Sequence, residues 1–139
     1  NSTTGSSTSG GYAAVFAQTP SSSQWTLMGG KILEGSAGDA VGYSIALSHE
    51  GTMLATGTPK SANNVGAVRI YNFTNATTWE MAPAIEGGVT GGDFGSSTSL
   101  SADGTRCAVG VPFLSSCSSS SKTGCTAGTS LIFDSPATA

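Results

Sequence analysis

The sequence predicts an all-β protein built from repeated antiparallel units, and three observations lead to this expectation. The segment from Gly42 to Pro59 recurs without a gap from Gly95 to Pro112, so equivalent residues lie 53 positions apart. Large apolar and small residues alternate along 42–48, which is the period of a strand with two different faces. No segment shows the periodicity of an amphipathic helix.

Each copy of this repeat predicts a strand, a tight turn and a second strand. The turns fall at 49–51 and 102–104, where Gly51 and Gly104 can adopt the positive φ that a hairpin turn requires. The partner strands follow at once and end in Gly-x-Pro.

Two further kinds of strand surround the repeated core. Trp25 and Trp79, which lie 54 residues apart, each begin a predicted strand, and Gly29-Gly30 predicts a bulge in the first of them. A short strand that follows a glycine occurs three times along the chain, at 11–16, 66–71 and 128–133.

The motifs of the second copy resemble a known family. Asp93-Phe94-Gly95, followed by Ala108 to Pro112, is similar to the FG-GAP repeat of integrin-alpha-type β-propellers. The first copy departs from the pattern, with Val41-Gly42 in place of Phe-Gly. The resemblance covers roughly residues 11–133 and implies antiparallel four-stranded, propeller-type blades, about two repeats plus extra strands.

With blade strands lettered A to D from the axis outward, the chain runs C, D, then A, B, C, D, then A, B, C. Closed propellers need about four to eight blades, so we expect no closed propeller within one chain and unpaired edges at both ends. We expect one domain over 11–139 after a Ser/Thr-rich flexible arm. Its predicted parts are a partial first blade at 11–41, a complete blade and connection at 42–94, an incomplete last blade at 95–133 and a tail at 134–139.

Composition favours an extracellular, secreted or cell-surface location. Only 9% of the residues are charged and the net charge is -3, while Ser, Thr and Gly are abundant. Because no basic patch is present, we expect no nucleic-acid partner. Because no apolar run approaches about 18 residues, we expect no membrane insertion.

Three cysteines and three glycosylation sequons suit an oxidising compartment. Cys117 and Cys125 share a Ser-rich loop and are predicted to form a disulfide, and Cys107 is predicted to be a buried thiol. A bond from Cys107 to either loop cysteine stays open. The sequons begin at Asn1, Asn72 and Asn75, and the last two are expected in the loop after the strand at 66–71, where attached glycans are the predicted covalent partners.

Candidate chemistry is sparse. His49, the one histidine, lies in a predicted turn with no nucleophile and carboxylate placed beside it. Asp39 and Asp93 are too few for a calcium site and are interpreted as turn residues. Trp25 and Trp79 could stack on sugars, but their recurrence favours packing. We therefore predict no enzyme, no cofactor and no metal.

The resulting hypothesis is an extracellular, glycosylated structural or adhesive subunit that binds copies of itself head to tail. The strand at 25–33 of one copy would pair beside the strand at 128–133 of the next, giving a filament. The assembly residues would be Trp25, Leu27, Leu33, Leu131 and Phe133. The alternative is a ligand- or carbohydrate-binding cell-adhesion propeller module trimmed from a longer chain.

Overall fold

A computed structural model describes residues 10–32, 35–113 and 128–134. Within them the protein is all-β, with three antiparallel sheets and no closed barrel, which confirms the predicted fold class at this level. One helical turn, Ser61–Asn64 (α1), interrupts the strands, and Ala62 and Asn63 have positive φ there.

The first sheet is a two-stranded hairpin of β1 (Ala13–Gln18) and β2 (Trp25–Ile32). Its register shifts between Ala13 and Val15, opposite Gly29 and Gly30, whose φ values are 65° and 89°. The predicted Gly-Gly bulge is therefore present, because only residues tolerant of positive φ fit the extra turn of backbone.

The second sheet holds the complete set of strands. Its order is β3-β4-β5-β6, and β7 also pairs with β5. The outer strand was predicted to be continuous over 79–85 but is split, because Pro83 lies between β6 and β7 and has no N–H to donate. The bounds are β3 Ser44–Leu47, β4 Met53–Thr58, β5 Ala67–Thr74, β6 Thr78–Met81 and β7 Ile85–Glu86.

The third sheet has the order β10-β9-β8, with β8 Ser97–Leu100, β9 Arg106–Val111 and β10 Thr129–Asp134. The pairing order within all three sheets is the one expected from the repeat. The strands that were expected to start at glycine begin one or two residues later, and Gly11, Gly42, Gly66 and Gly95, which precede four of them, have positive φ and serve as joints.

The second sheet contributes to both hydrophobic cores of the described residues and so organises the molecule. One core lies between it and the first sheet, formed by Ala13, Val15, Ile32, Leu54 and Tyr71, with Met28 and Trp79 packed against them. The other core lies between the second and third sheets, formed by Ala55, Val68, Phe94, Cys107, Val109 and Val111.

Neighbouring sheets are joined by isolated parallel bridges at equivalent positions of the repeat. Gly11 forms a parallel bridge with Val41, and Gly66 forms one with Phe94. The residues before Val41 and Phe94 are Ala40 and Asp93, with φ values of 59° and 52°. The structural counterpart of Asp93 is thus Ala40, and Asp39 lies one position before it.

Candidate functional site

The predicted glycosylation residues lie in different environments. Asn75 is exposed in the turn between β5 and β6, with φ of 50°. Asn72 was expected in the same loop, but β5 extends to Thr74 and pairs Asn72 with Met53 on one side and Glu80 on the other. Asn72 is half-buried, so Asn75 is the more accessible acceptor. Asn1 lies outside the described residues.

Cys107 lies in β9, is 2% exposed and is free. Burial raises the pKa of its thiol above the ordinary value, which disfavours the reactive thiolate and suits a packing role. Cys117 and Cys125, and hence their predicted disulfide, lie outside the described residues.

Most of the predicted assembly residues are at the surface. Trp25 is 66% exposed, and Leu27 and Leu131 are also exposed. Phe133 is half-buried, with its ring edge-on to Phe94 at 6.0 Å between centroids. Leu33 lies outside the described residues.

Both ends of the described fold present incomplete sheets. Among the described residues, β10 pairs only with β9 and β1 only with β2, so each of these strands has one edge without a ladder. Such edges offer backbone N–H and C=O groups for pairing with another strand.

An apolar row on β3 is exposed and was not recognised in the sequence. Ile45 and Leu47 of β3, with Tyr43 just before it, point to the side where the described part of the first sheet has no strands equivalent to β3 and β4. Leu100, the counterpart of Leu47 53 residues later, is half-buried against the second core. The alternation along 42–48 carried this signal, since a row of large apolar residues needs a covering surface.

A second open surface lies on the inner part of the third sheet. In the second sheet, the equivalent surface is filled, because Ser44 Oγ donates to Gly95 O at 2.8 Å and Gly66 bridges Phe94. Their counterparts Ser97 and Gly128 line an open cleft of about 390 Å³ instead.

A cavity of about 290 Å³ lies beside β10, between the second and third sheets. Most of its lining surface is apolar, and its wall includes aliphatic, thiol and aromatic side chains from both sheets. The lining residues include Ile70, Ala82, Pro83 and Ile85 of the second sheet and its loop, and Cys107 and Phe133 of the third sheet.

Asp103 lies in the turn between β8 and β9. The carboxylate of Asp103 accepts hydrogen bonds from Ser101 Oγ, Thr105 N and Thr105 Oγ1, which lower its pKa to about 2. Among the described residues, no three His, Cys, Asp or Glu side chains are grouped to hold a metal ion.

Comparison with known proteins adds no family. No protein-family model and no curated protein matches this chain. The described part contains no helix of the length and apolarity needed to cross a membrane.

Proposed function

We propose that the protein is an extracellular, glycosylated structural or adhesive subunit whose FG-GAP-like, propeller-type blades assemble head to tail into a filament. The observation that carries this proposal is that each end of the described fold offers what the other lacks. Among the described residues, the third sheet has strands equivalent to β3, β4 and β5 and none equivalent to β6, and the first sheet has strands equivalent to β5 and β6 and none equivalent to β3 and β4.

The register inside the chain supplies a template for this contact. In the second sheet Tyr71 pairs with Met81, and in the first sheet Phe16 pairs with Leu27. We call the glycine just before β1, β5 and β10 the joint glycine of that strand; these are Gly11, Gly66 and Gly128. Phe16, Tyr71 and Phe133 each lie five residues after the joint glycine of their strand. Phe133 of one copy would therefore pair with Leu27 of the next, and backbone hydrogen bonds along the ladder would stabilise the contact.

This register uses the edge of β2 that faces β1 in the single chain. Within the assembly, β10 of one copy would take the place that β1 of the next copy holds in the monomer. β1 and β10 would thus compete for β2, an exchange of equivalent strands between copies.

The inner surfaces support the same arrangement. When β10 of one copy replaces β1 of the next, Gly128 takes the position of Gly11 beside Val41. The cleft at Ser97 would then receive the Val41-Gly42 segment, as Ser44 receives Gly95 within the chain. β8 and β9 of the first copy would cover the exposed row of Tyr43, Ile45 and Leu47 of the next.

The contact joins two different surfaces, so it is heterologous and repeats without limit unless the rotation closes a ring. A filament of this kind needs no small-molecule site. Asn75, exposed in its turn, would carry a glycan on the outer side, away from the inner strands.

The test is deletion of residues 1–34, which removes β2. We expect the parent chain to form filaments visible by electron microscopy and large particles in light scattering, and the truncated chain to stay monomeric. Deletion of residues 1–10 is the matched control, because it leaves β2 in place and should not prevent assembly. Assembly of the chain lacking 1–34, or a parent that stays monomeric, would refute the proposal.

The alternative, a ligand- or carbohydrate-binding module, draws support from the 290 Å³ cavity. Its volume lies just below the usual range of small-molecule sites, roughly 300–1,000 Å³, and its lining is mostly apolar, which suits a side chain better than a sugar. Binding of saccharides by the monomeric chain, with no assembly, would favour this alternative.

A further inference from the structure

The cavity between the second and third sheets matches a filled site elsewhere in the same chain. We infer that this cavity is the socket for Trp25 of another copy. The inference rests on the proposed head-to-tail assembly and names the contact that holds it.

The filled site is the core between the first and second sheets. Five members of this core each have a counterpart in the cavity wall. The two residues of a pair lie at the same distance after their joint glycines, at the same position of the repeat, or opposite equivalent residues of the neighbouring strand. The pairs are Val15 and Ile70, Met28 and Ala82, Ile32 and Ile85, Leu54 and Cys107, and Tyr71 and Phe133.

Trp79 is the one large side chain of the filled core that has no counterpart in the cavity wall among the described residues. Trp79 packs against that core, donates from Nε1 to Met28 O at 2.9 Å and stacks near Phe73 with 5.0 Å between centroids. It also lies against Gly29, where an added Cβ would be 2.9 Å from the indole. A tryptophan equivalent to Trp79 would lie over Ala82 and Pro83 and would belong to the outer strand of the third sheet. The described part of the third sheet does not contain that strand.

Trp25 is the residue that fits this vacancy. It begins β2 as Trp79 lies near the start of β6, and each pairs with the residue seven positions after its joint glycine, Gln18 and Phe73 respectively. When β2 pairs with β10 of another copy in that register, the indole of Trp25 is placed over Ala82 as Trp79 is placed over Met28.

The chemistry of the socket agrees with an indole. The wall is largely apolar, and Cys107 and Ala82 are smaller than Leu54 and Met28. Pro83 stands in place of Gly29, which contacts the indole of Trp79, so the ring of Trp25 would lie closer to Cys107 and Ala82 than Trp79 lies to Leu54 and Met28. By repeat position Ala82 corresponds to Met28, whose carbonyl accepts the indole N–H of Trp79, so the Ala82 carbonyl is the acceptor we expect for the N–H of Trp25. A buried tryptophan with its N–H satisfied is a typical anchor of a protein interface.

The first measurement uses tryptophan fluorescence, because the chain has two tryptophans. In the variant Trp79→Phe, Trp25 is the only emitter, and we expect its emission maximum to shift to shorter wavelength as the chain assembles. In the matched variant Trp25→Phe, Trp79 is already half-buried and its emission should stay unchanged.

The second measurement needs no change in either core and covers the case that Trp79→Phe fails to fold. Trp25→Ala should raise the concentration needed for assembly by about 30-fold or more, the loss typical of an interface anchor. Met81→Ala is the control, because Met81 is an exposed hydrophobic residue of β6 that belongs to neither the filled core nor the cavity wall.

The outcomes separate the two proposals. If deletion of 1–34 prevents assembly but Trp25→Ala assembles like the parent chain, the socket is wrong and the strand exchange stands. If the parent chain does not assemble at all, both proposals are wrong.

Discussion

Gly95 lies where the backbones of the second and third sheets touch. Its φ is +88°, and a Cβ added to it would be 2.6 Å from Ala67 O and 3.3 Å from Gly57 Cα. A side chain there must both strain the backbone and separate the sheets.

We therefore expect Gly95→Val to lower the free energy of unfolding by roughly 1–3 kcal/mol or more. Gly88→Val is the matched control, because no atom lies within 4 Å of the added Cβ and Gly88 is not in the left-handed region. Chemical denaturation of both variants measures the difference. Equal stability of the two would show that the sheets can move apart at Gly95.

Cys107 is a residue whose burial was predictable from the repeat. Its alignment with Leu54 predicted burial, and both residues are buried in equivalent strands, 2% and 3% exposed. The sequence could not indicate that the smaller side chain of Cys107 borders a cavity, because this depends on which strands of the neighbouring sheet lie opposite it.

At the scale of elements, contacts between neighbouring sheets depend on small polar residues of the inner strands. Ser44 in β3 donates to Gly95 O at 2.8 Å and also accepts from Thr98 Oγ1 at 3.2 Å. Its counterpart in β8 is Ser97, which is exposed at the open cleft.

Ser44→Ala should therefore cost about 1–3 kcal/mol of stability, because it removes two hydrogen bonds that usually contribute about 0.5–1.5 kcal/mol each. Ser97→Ala, the matched change at the open position, should alter stability by less than about 0.5 kcal/mol. Both are measured by thermal melts at a concentration where the chain is monomeric. A larger loss for Ser97→Ala would mean that the third sheet depends on its inner strand in a different way from the second sheet.

The order of the strands was predictable because each repeat contains its own hairpins, and a hairpin is determined by residues close in sequence. The bulge at Gly29 and Gly30 was predictable for the same reason. The break of the outer strand at Pro83 carried a sequence signal, since proline cannot donate within a ladder. The turn at Ser61–Asn64 carried none, because three of its residues are non-glycine with positive φ.

At the scale of the whole molecule, the proposed exchange requires β1 to leave β2, because β1 occupies the edge of β2 that β10 of another copy would take. Phe16 in β1 and Leu27 in β2 are exposed cross-strand partners, and such Cα pairs lie at a distance that a disulfide can span.

A chain carrying Phe16→Cys and Leu27→Cys tests the exchange of β1 for β10. When oxidised, β1 cannot leave β2, and we expect the chain to stay monomeric at concentrations where the reduced form assembles. The parent chain treated with the same oxidant and reductant controls for effects on the other cysteines. Equal assembly of the locked and reduced forms would show that β2 joins another copy through a different edge.

The sequence by itself determined the all-β class, the order of the strands and the positions of the tight turns. These depend on hydrophobic periodicity, on the placement of glycine and on a repeat whose copies align without a gap. It also placed Trp25 and Trp79 at equivalent positions. Only the tertiary structure showed that Trp79 fills a core while Trp25 remains exposed, and that a cavity equivalent to the site of Trp79 lies beside β10. The physical reason is that burial depends on which sheet lies opposite a residue, and that is decided by contacts between repeats rather than by the pattern within one.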